Sequence, residues 1–277
     1  MRLAISNIAW DVPEDEAVAR LLKSFHIDAI DIAPGKYFAI PTAAKQSDLE
    51  GITRWWRDRG IAILGMQALL FNTSGLNVFG SRDTRNATLE HMRAVCRIGV
   101  GVGAKRLVFG APKNRDRTGL NDEQALKVGV EFFRRLGDIA YDLGVTICLE
   151  PNPRSYGANF MTTSAETAYV VRCIDHPAIR MQLDTGAVLL NEESINEVLT
   201  DCANLIEHVH ISEPDLVPIG DLDTDHASLH AAIAKFIPHC PVTIEMLATK
   251  DEAHLVAIER ALECVIRHYR PDMGCHA

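Results

Sequence analysis

The sequence predicts an α/β protein, a (β/α)8 TIM barrel, and three observations carry that prediction. Short β-rich runs alternate with amphipathic helical stretches, eight of each in order along the chain. The segments that follow strands are long, whereas those that follow helices are mostly two to five residues. No Pro/Gly/Ser-rich linker or low-complexity tract interrupts the 277 residues, so residues 1–277 read as a single domain. Strict β–α alternation implies a parallel sheet, and eight strands is the number that closes one into a barrel. A doubly wound open sheet is the competing arrangement of the same elements.

Strands are expected at 2–6, 28–33, 61–67, 105–110, 145–150, 179–184, 206–211 and 241–246. Helices are expected near 14–25, 45–59, 82–101, 121–143, 163–174, 192–203, 226–237 and 251–269. Several carry start signals: Pro13-Glu14-Asp15-Glu16, Asn121-Asp122-Glu123 and Thr163-Ser164-Ala165-Glu166 put capping or acidic residues in first turns. Arg59-Gly60 and Leu143-Gly144 place a glycine where a helix must stop before a strand. The stretches 34–44, 68–81, 111–120, 151–162, 185–191 and 212–225 are expected as loops on one rim. A face of long loops at strand carboxyl ends is where barrels carry binding groups.

A hydrophobic fraction of 47% is enough for a sizeable core. The formal net charge of −9 argues against a protein that neutralises many nucleic-acid phosphates. Seven cysteines, at 96, 148, 173, 202, 240, 264 and 275, are scattered singly with no C-x-x-C, which suggests reduced thiols. Met1-Arg2-Leu3-Ala4-Ile5-Ser6 runs straight into a strand without a signal-peptide pattern, and no run of 18 apolar residues exists. A soluble, cytoplasmic protein without membrane or nucleic-acid partners is expected.

Four strand runs in the second half end in a residue able to bind a metal. They finish at Glu150, Asp184, His210 and Glu245, at intervals of 34, 26 and 35 residues. In a barrel these ends converge on one rim, so two glutamates, an aspartate and a histidine would surround one divalent cation. Residues two apart in a strand share a face, which puts Cys148, Gln182, His208 and Thr243 one layer below. Polar groups there could hydrogen-bond the ligands from beneath. Three carboxylates and one imidazole suit Mn²⁺, Mg²⁺ or Co²⁺ better than a thiolate-rich structural zinc site.

The segments Leu149-Glu150-Pro151-Asn152, Gln182-Leu183-Asp184-Thr185-Gly186 and His208-Val209-His210-Ile211-Ser212-Glu213 resemble the xylose isomerase-like TIM barrel superfamily of sugar isomerases and epimerases. The likeness is strongest to ketose 3-epimerases of the tagatose/psicose type. It implies metal ligation by Glu150, Asp184, His210 and Glu245, with Mn²⁺ first and Mg²⁺, Co²⁺ or Zn²⁺ as alternatives. It also implies that Glu150 and Glu245 double as acid/base groups, and that the protein is a homodimer or homotetramer. Two substrate-facing positions depart from those epimerases. Thr185-Gly186-Ala187-Val188 lacks their histidine after the strand-6 aspartate, and Pro214-Asp215-Leu216-Val217 lacks their arginine after the strand-7 Ser-Glu.

The expected activity is therefore a metal-dependent sugar epimerase or isomerase that abstracts a proton next to a carbonyl through a metal-stabilised enediolate. The alternative is a lyase or dehydratase acting on a keto-sugar or keto-inositol, which begins with the same abstraction. Around the rim, Asn7, Trp10, Gln67, Lys113, Arg115, Asn152, Tyr156 and Glu213 are candidates to bind a carbohydrate. Arg115 and Lys113 could capture an anionic group. His208 is expected to be a hydrogen-bonding residue of the barrel interior, His226 a helix start, and Trp55-Trp56 a packing pair.

Overall fold

The computed structural model describes residues 1–270. Eight parallel strands pair in sequence order and close into a barrel: β1 Leu3–Ser6, β2 Ala29–Ile32, β3 Ala62–Met66, β4 Arg106–Phe109, β5 Thr146–Leu149, β6 Ile179–Asp184, β7 Ile206–Ser212 and β8 Val242–Glu245. The seam is the β1–β8 pair, where Leu3, Ala4 and Ile5 face Val242, Thr243 and Ile244. Closure rules out the open sheet. Ten α-helices are described: α1 Asp15–Ser24, α2 Pro34–Tyr37, α3 Gln46–Arg57, α4 Arg82–Val102, α5 Asp122–Leu143, α6 Ser164–Ile174, α7 Thr185–Leu190, α8 Ile195–Cys202, α9 His226–Phe236 and α10 His254–Tyr269.

The expected signals account for many boundaries. The Asn121 side chain accepts from Gln124 N at 2.9 Å and opens α5, which stops at Gly144 in the left-handed region (φ 71°). Thr163 caps α6 by accepting from Glu166 N at 3.1 Å. Two stretches read as loops contain helix. Residues 34–37 form the one-turn α2, and 185–190 form α7 directly after β6. The helix expected at 192–203 is correspondingly shorter, spanning Ile195–Cys202.

Alternation along the strands separates two environments. Ile5, Ile30, Ile32, Leu107, Ile147, Leu149, Leu183, Val209, Ile211 and Ile244 are fully or nearly fully buried in the hydrophobic core. Truncating one of these to alanine would cost about 2–5 kcal/mol through lost transfer energy and a residual cavity. Asp31, Gln182, His208 and Thr243 lie among them in sequence and are buried as well, but they hydrogen-bond one another. The sequence spacing thus builds an apolar wall with a polar interior. Cys275 lies outside the described residues; the other six cysteines are free. Among the described residues, no helix is long and apolar enough to cross a membrane.

Candidate metal centre

Ligand-type atoms of Glu150, Asp184, His210 and Glu245 all lie within 4.8 Å of one another at the carboxyl ends of β5, β6, β7 and β8. Local register explains the convergence. A shift between Met181 and Gln182 sets Gln182 against His208 and Asp184 against His210. Ser212 in turn pairs with Glu245 across β7 and β8. Glu150 stands one residue beyond β5, with its amide donating to Phe109 O at 3.2 Å.

Each candidate ligand is held by neighbours. His210 Nδ1 is 3.3 Å from Glu150 Oε1 and 3.1 Å from Glu245 Oε2. Asp184 Oδ1 accepts from Ala187 N at 2.6 Å as the cap of α7, and Ser212 Oγ lies 3.0 Å from both carboxylate oxygens. Gln67 Nε2 donates to Glu245 Oε1 at 2.7 Å, and Asn152 Nδ2 donates to Glu150 Oε2 at 3.3 Å. Glu150 also needs Gly110: a Cβ there would come within 1.8 Å of Glu150 Oε2.

The electrostatics favour a cation. Burial and the Glu245 and Glu150 carboxylates push Asp184 well above its ordinary carboxylate range. Burial alone would raise Glu245 too, but His210 and hydrogen bonds from Asp184 and Gln67 hold it below. Burial would lower His210, yet Glu245 and Glu150 outweigh it and push the imidazole well up. The cluster therefore gathers protons to relieve its own repulsion, and a divalent ion would do so more completely. Among the described residues, Glu150 Oε1 is buried without a hydrogen-bond partner. An oxygen-rich set with one imidazole and spare donor capacity fits a hard divalent metal.

Residues 19–267 match the family described as xylose isomerase-like TIM barrel. The chain belongs to that family. It is 28% identical over 121 residues to an L-ribulose 3-epimerase of a Methylomonas strain, covering 44% of this chain and 42% of that protein. It is 25% identical over 147 residues to a ketose 3-epimerase of Arthrobacter globiformis, covering 52% and 49%. The chain thus spans under half the length of these curated relatives. A crystal structure of a D-psicose 3-epimerase in the presence of D-fructose superposes with a TM-score of 0.81 at 18% identity, covering 97% of this chain and 99% of that one. A 3-keto-D-glucoside 4-epimerase from E. coli gives 0.76 at 16%, covering 95% and 100%. At those identities the solved structures establish the shared fold alone.

The other rim candidates divide into two groups in this member of the xylose isomerase-like family. Asn7 and Gln67 are buried, and each keeps one amide atom without a partner among the described residues, Nδ2 and Oε1 respectively. Tyr156 is half-buried and bridges two rim loops, its hydroxyl accepting from Asp215 N at 2.8 Å. Burial, then the charges of Asp184, Asp215 and Glu245, push its phenol up to about 12, so it stays a neutral donor. Lys113 is exposed.

Trp10, Arg115 and Glu213 are buried at the rim, each with hydrogen-bond partners of its own. Trp10 is fully buried, donates Nε1 to Asp15 Oδ1 at 2.7 Å and packs edge-on against Trp56, so it supports a loop. Arg115 is also fully buried. It donates Nη1 to Glu150 O and Nη2 to Asn152 Oδ1, both at 2.7 Å, so its guanidinium braces the strand-5 loop. Burial lowers it to about 10, which leaves it charged at neutral pH. Glu213 accepts from Gly220 N at 3.1 Å, from His226 Nε2 at 3.1 Å and from Thr224 Oγ1, and therefore organises its own loop. His226 starts α9 as expected. Asp31 and Gly110, which touch this site or the layer beneath it, had no role assigned from sequence. The signal for Asp31 was a charged residue flanked by isoleucines inside a strand.

Proposed function

We propose that this chain is a divalent-metal-dependent sugar epimerase or isomerase. The convergence of Glu150, Asp184, His210 and Glu245 carries the reading. Membership of a family whose relatives here include ketose 3-epimerases supports it. Held by those four residues, a divalent cation, Mn²⁺ first, would supply the positive charge that polarises a sugar carbonyl.

The protein's own groups then move the protons. Glu150 and Glu245 enter from β5 and β8, separate arcs of the barrel, and both reach the same centre. One carboxylate takes the proton from the carbon next to the carbonyl, leaving an enediolate. The other returns a proton to the opposite face. Asn152 and Gln67 fix these two carboxylates by direct hydrogen bonds, and so limit the motion between the two transfers. Gln67 Oε1 and Asn7 Nδ2 are uncharged groups with unused hydrogen-bonding capacity, suited to substrate hydroxyls. With Asn152, Tyr156 and Lys113 they form the proposed substrate-facing set. Six free thiols suit a reducing compartment and support a cytoplasmic location.

The dehydratase alternative gains nothing from these relatives, all epimerases by name. The test is incubation of the Mn²⁺-loaded protein with ketoses, keto-inositols and keto-glycosides in D₂O. Deuterium beside the carbonyl with the carbon skeleton and hydroxyl count intact is expected. Loss of water from the substrate would contradict epimerisation.

A further inference from the structure

Beneath the candidate ligands lies a buried carboxylate that neither the proton transfers nor the metal set employs. Asp31 sits in β2 between Ile30 and Ile32 and is completely buried. Its Oδ2 is 2.9 Å from His208 Nε2 and accepts from Thr243 Oγ1 at 2.9 Å, while Oδ1 has no partner among the described residues. The backbone is shaped for it. A register shift between Ile30 and Asp31 sets Asp31 opposite Gly65. A Cβ on Gly65 would approach Asp31 Oδ1 to 2.7 Å, so a larger residue there would displace the carboxylate. A charge this deep is costly unless partnered, and three elements of the barrel wall cooperate to keep it.

What Asp31 faces gives it a use. Ligand-type atoms of Asp31, His208 and His210 lie within 4.8 Å of one another. The His208 and His210 rings are edge-on with centroids 5.1 Å apart. Since His210 Nδ1 is turned to Glu150 and Glu245, its Nε2 is the nitrogen without a partner. An imidazole that binds a metal through one nitrogen carries its proton on the other, and a nearby carboxylate fixes that tautomer and the ring's orientation. A second route runs through the backbone. With His208 Nε2–H directed at Asp31, His208 Nδ1 is an acceptor, which orients the Gln182 amide. Gln182 Nε2 then donates to His208 Nδ1 and its Oε1 accepts from His210 N, each at 3.0 Å.

We propose that Asp31, acting with His208, is the positioning carboxylate of His210: it aims the imidazole at the metal centre from the layer below. The proposal rests on the reading of Glu150, Asp184, His210 and Glu245 as that centre.

Mn²⁺ affinity, measured by competition with a chromophoric chelator, tests it on the wild type, Asp31→Asn and His208→Gln, together with the visible absorption of the Co²⁺-loaded proteins. Both variants are expected to bind Mn²⁺ about 10–100-fold more weakly, the usual cost of losing an outer partner of a metal ligand. Their Co²⁺ bands should shift, and excess Mn²⁺ should restore most of the activity, which a folding defect would not permit. Wild-type affinity and unshifted Co²⁺ bands in both folded variants would overturn the proposal while leaving the metal centre standing. A wild type that takes up no Mn²⁺ would overturn both. Thr243→Val removes one hydrogen bond to Asp31 with little change of shape. Should the first two variants not fold, a weaker Mn²⁺ affinity in this one supports the proposal, and an unchanged one overturns it.

Discussion

Gly110→Ala places a single methyl group against one functional atom. The added Cβ would lie 1.8 Å from Glu150 Oε2 and 2.9 Å from its Cδ, whereas ordinary contact begins at 3.4 Å. Oε2 must therefore retreat by about 1.6 Å (3.4 − 1.8), since the methyl is fixed to the backbone after β4. The backbone of Glu150 cannot follow freely. Its amide is bonded to Phe109 O and its carbonyl to Arg115. The carboxylate instead swings away from Asn152 Nδ2 and out of the metal set. Overpacking a buried site costs about 1–3 kcal/mol of stability. A misplacement near 1 Å at a reacting group can cost about a hundredfold in rate. Denaturant unfolding and solvent-deuterium exchange into the substrate measure the two effects on the same variant. The expected result is a folded protein of modestly reduced stability whose exchange rate falls about a hundredfold. A Gly110→Ala protein with wild-type exchange would refute the placement of Glu150 at the reacting carbon.

Glu150→Gln and Glu245→Gln should each lower exchange by at least about 10²-fold while circular dichroism stays native, since each removes one proton-transfer group. Glu213→Gln should destabilise the fold at neutral pH by about 1–3 kcal/mol, because Glu213 loses its charged hydrogen bonds to His226 and its neighbours. Burial would raise Glu213, but bonds from His226, Thr224 and Gly220 outweigh it and hold its pKa below the ordinary 4.5. Its contribution is thus present above pH 4.5 and lost as pH falls through the lower folded value, so in urea melts the wild-type advantage should shrink under acid. Arg115→Lys should cost at least about 1.5 kcal/mol by breaking the paired bonds to Glu150 O and Asn152. Millimolar inorganic phosphate should inhibit neither that variant nor the wild type; inhibition that disappears with the substitution would identify Arg115 as an anion site.

The barrel and the four converging residues were legible because both follow from period and order. Each run alternates, and its polar terminus falls where parallel strands share a rim. Helix α7 escaped because Asp184 is at once a strand end and a helix cap. The chain turns helical with no intervening loop, for six residues, too few for a 3.6-residue period to show. Arg115 and Glu213 sit at the expected rim positions, but position does not disclose partners. Their hydrogen bonds join residues distant in sequence, Arg115 with Glu150 and Asn152, and Glu213 with Thr224 and His226. Asp31 depends on a register shift and on Gly65, a strand away, and neither is visible in a run of apolar residues. Gly110 matters only through the space it leaves for Glu150, a relation between two chain segments.

Glu150, Asp184, His210 and Glu245 are predicted to hold one divalent cation together. Metal content after equilibration with Mn²⁺ and gel filtration tests it most directly, comparing the wild type with a folded Asp184→Asn/His210→Gln double variant. One Mn²⁺ per wild-type chain and almost none in the double variant is predicted, because two of the four donors are gone. A full equivalent retained by the double variant would mean that the metal, and the chemistry built around it, belongs elsewhere in the molecule.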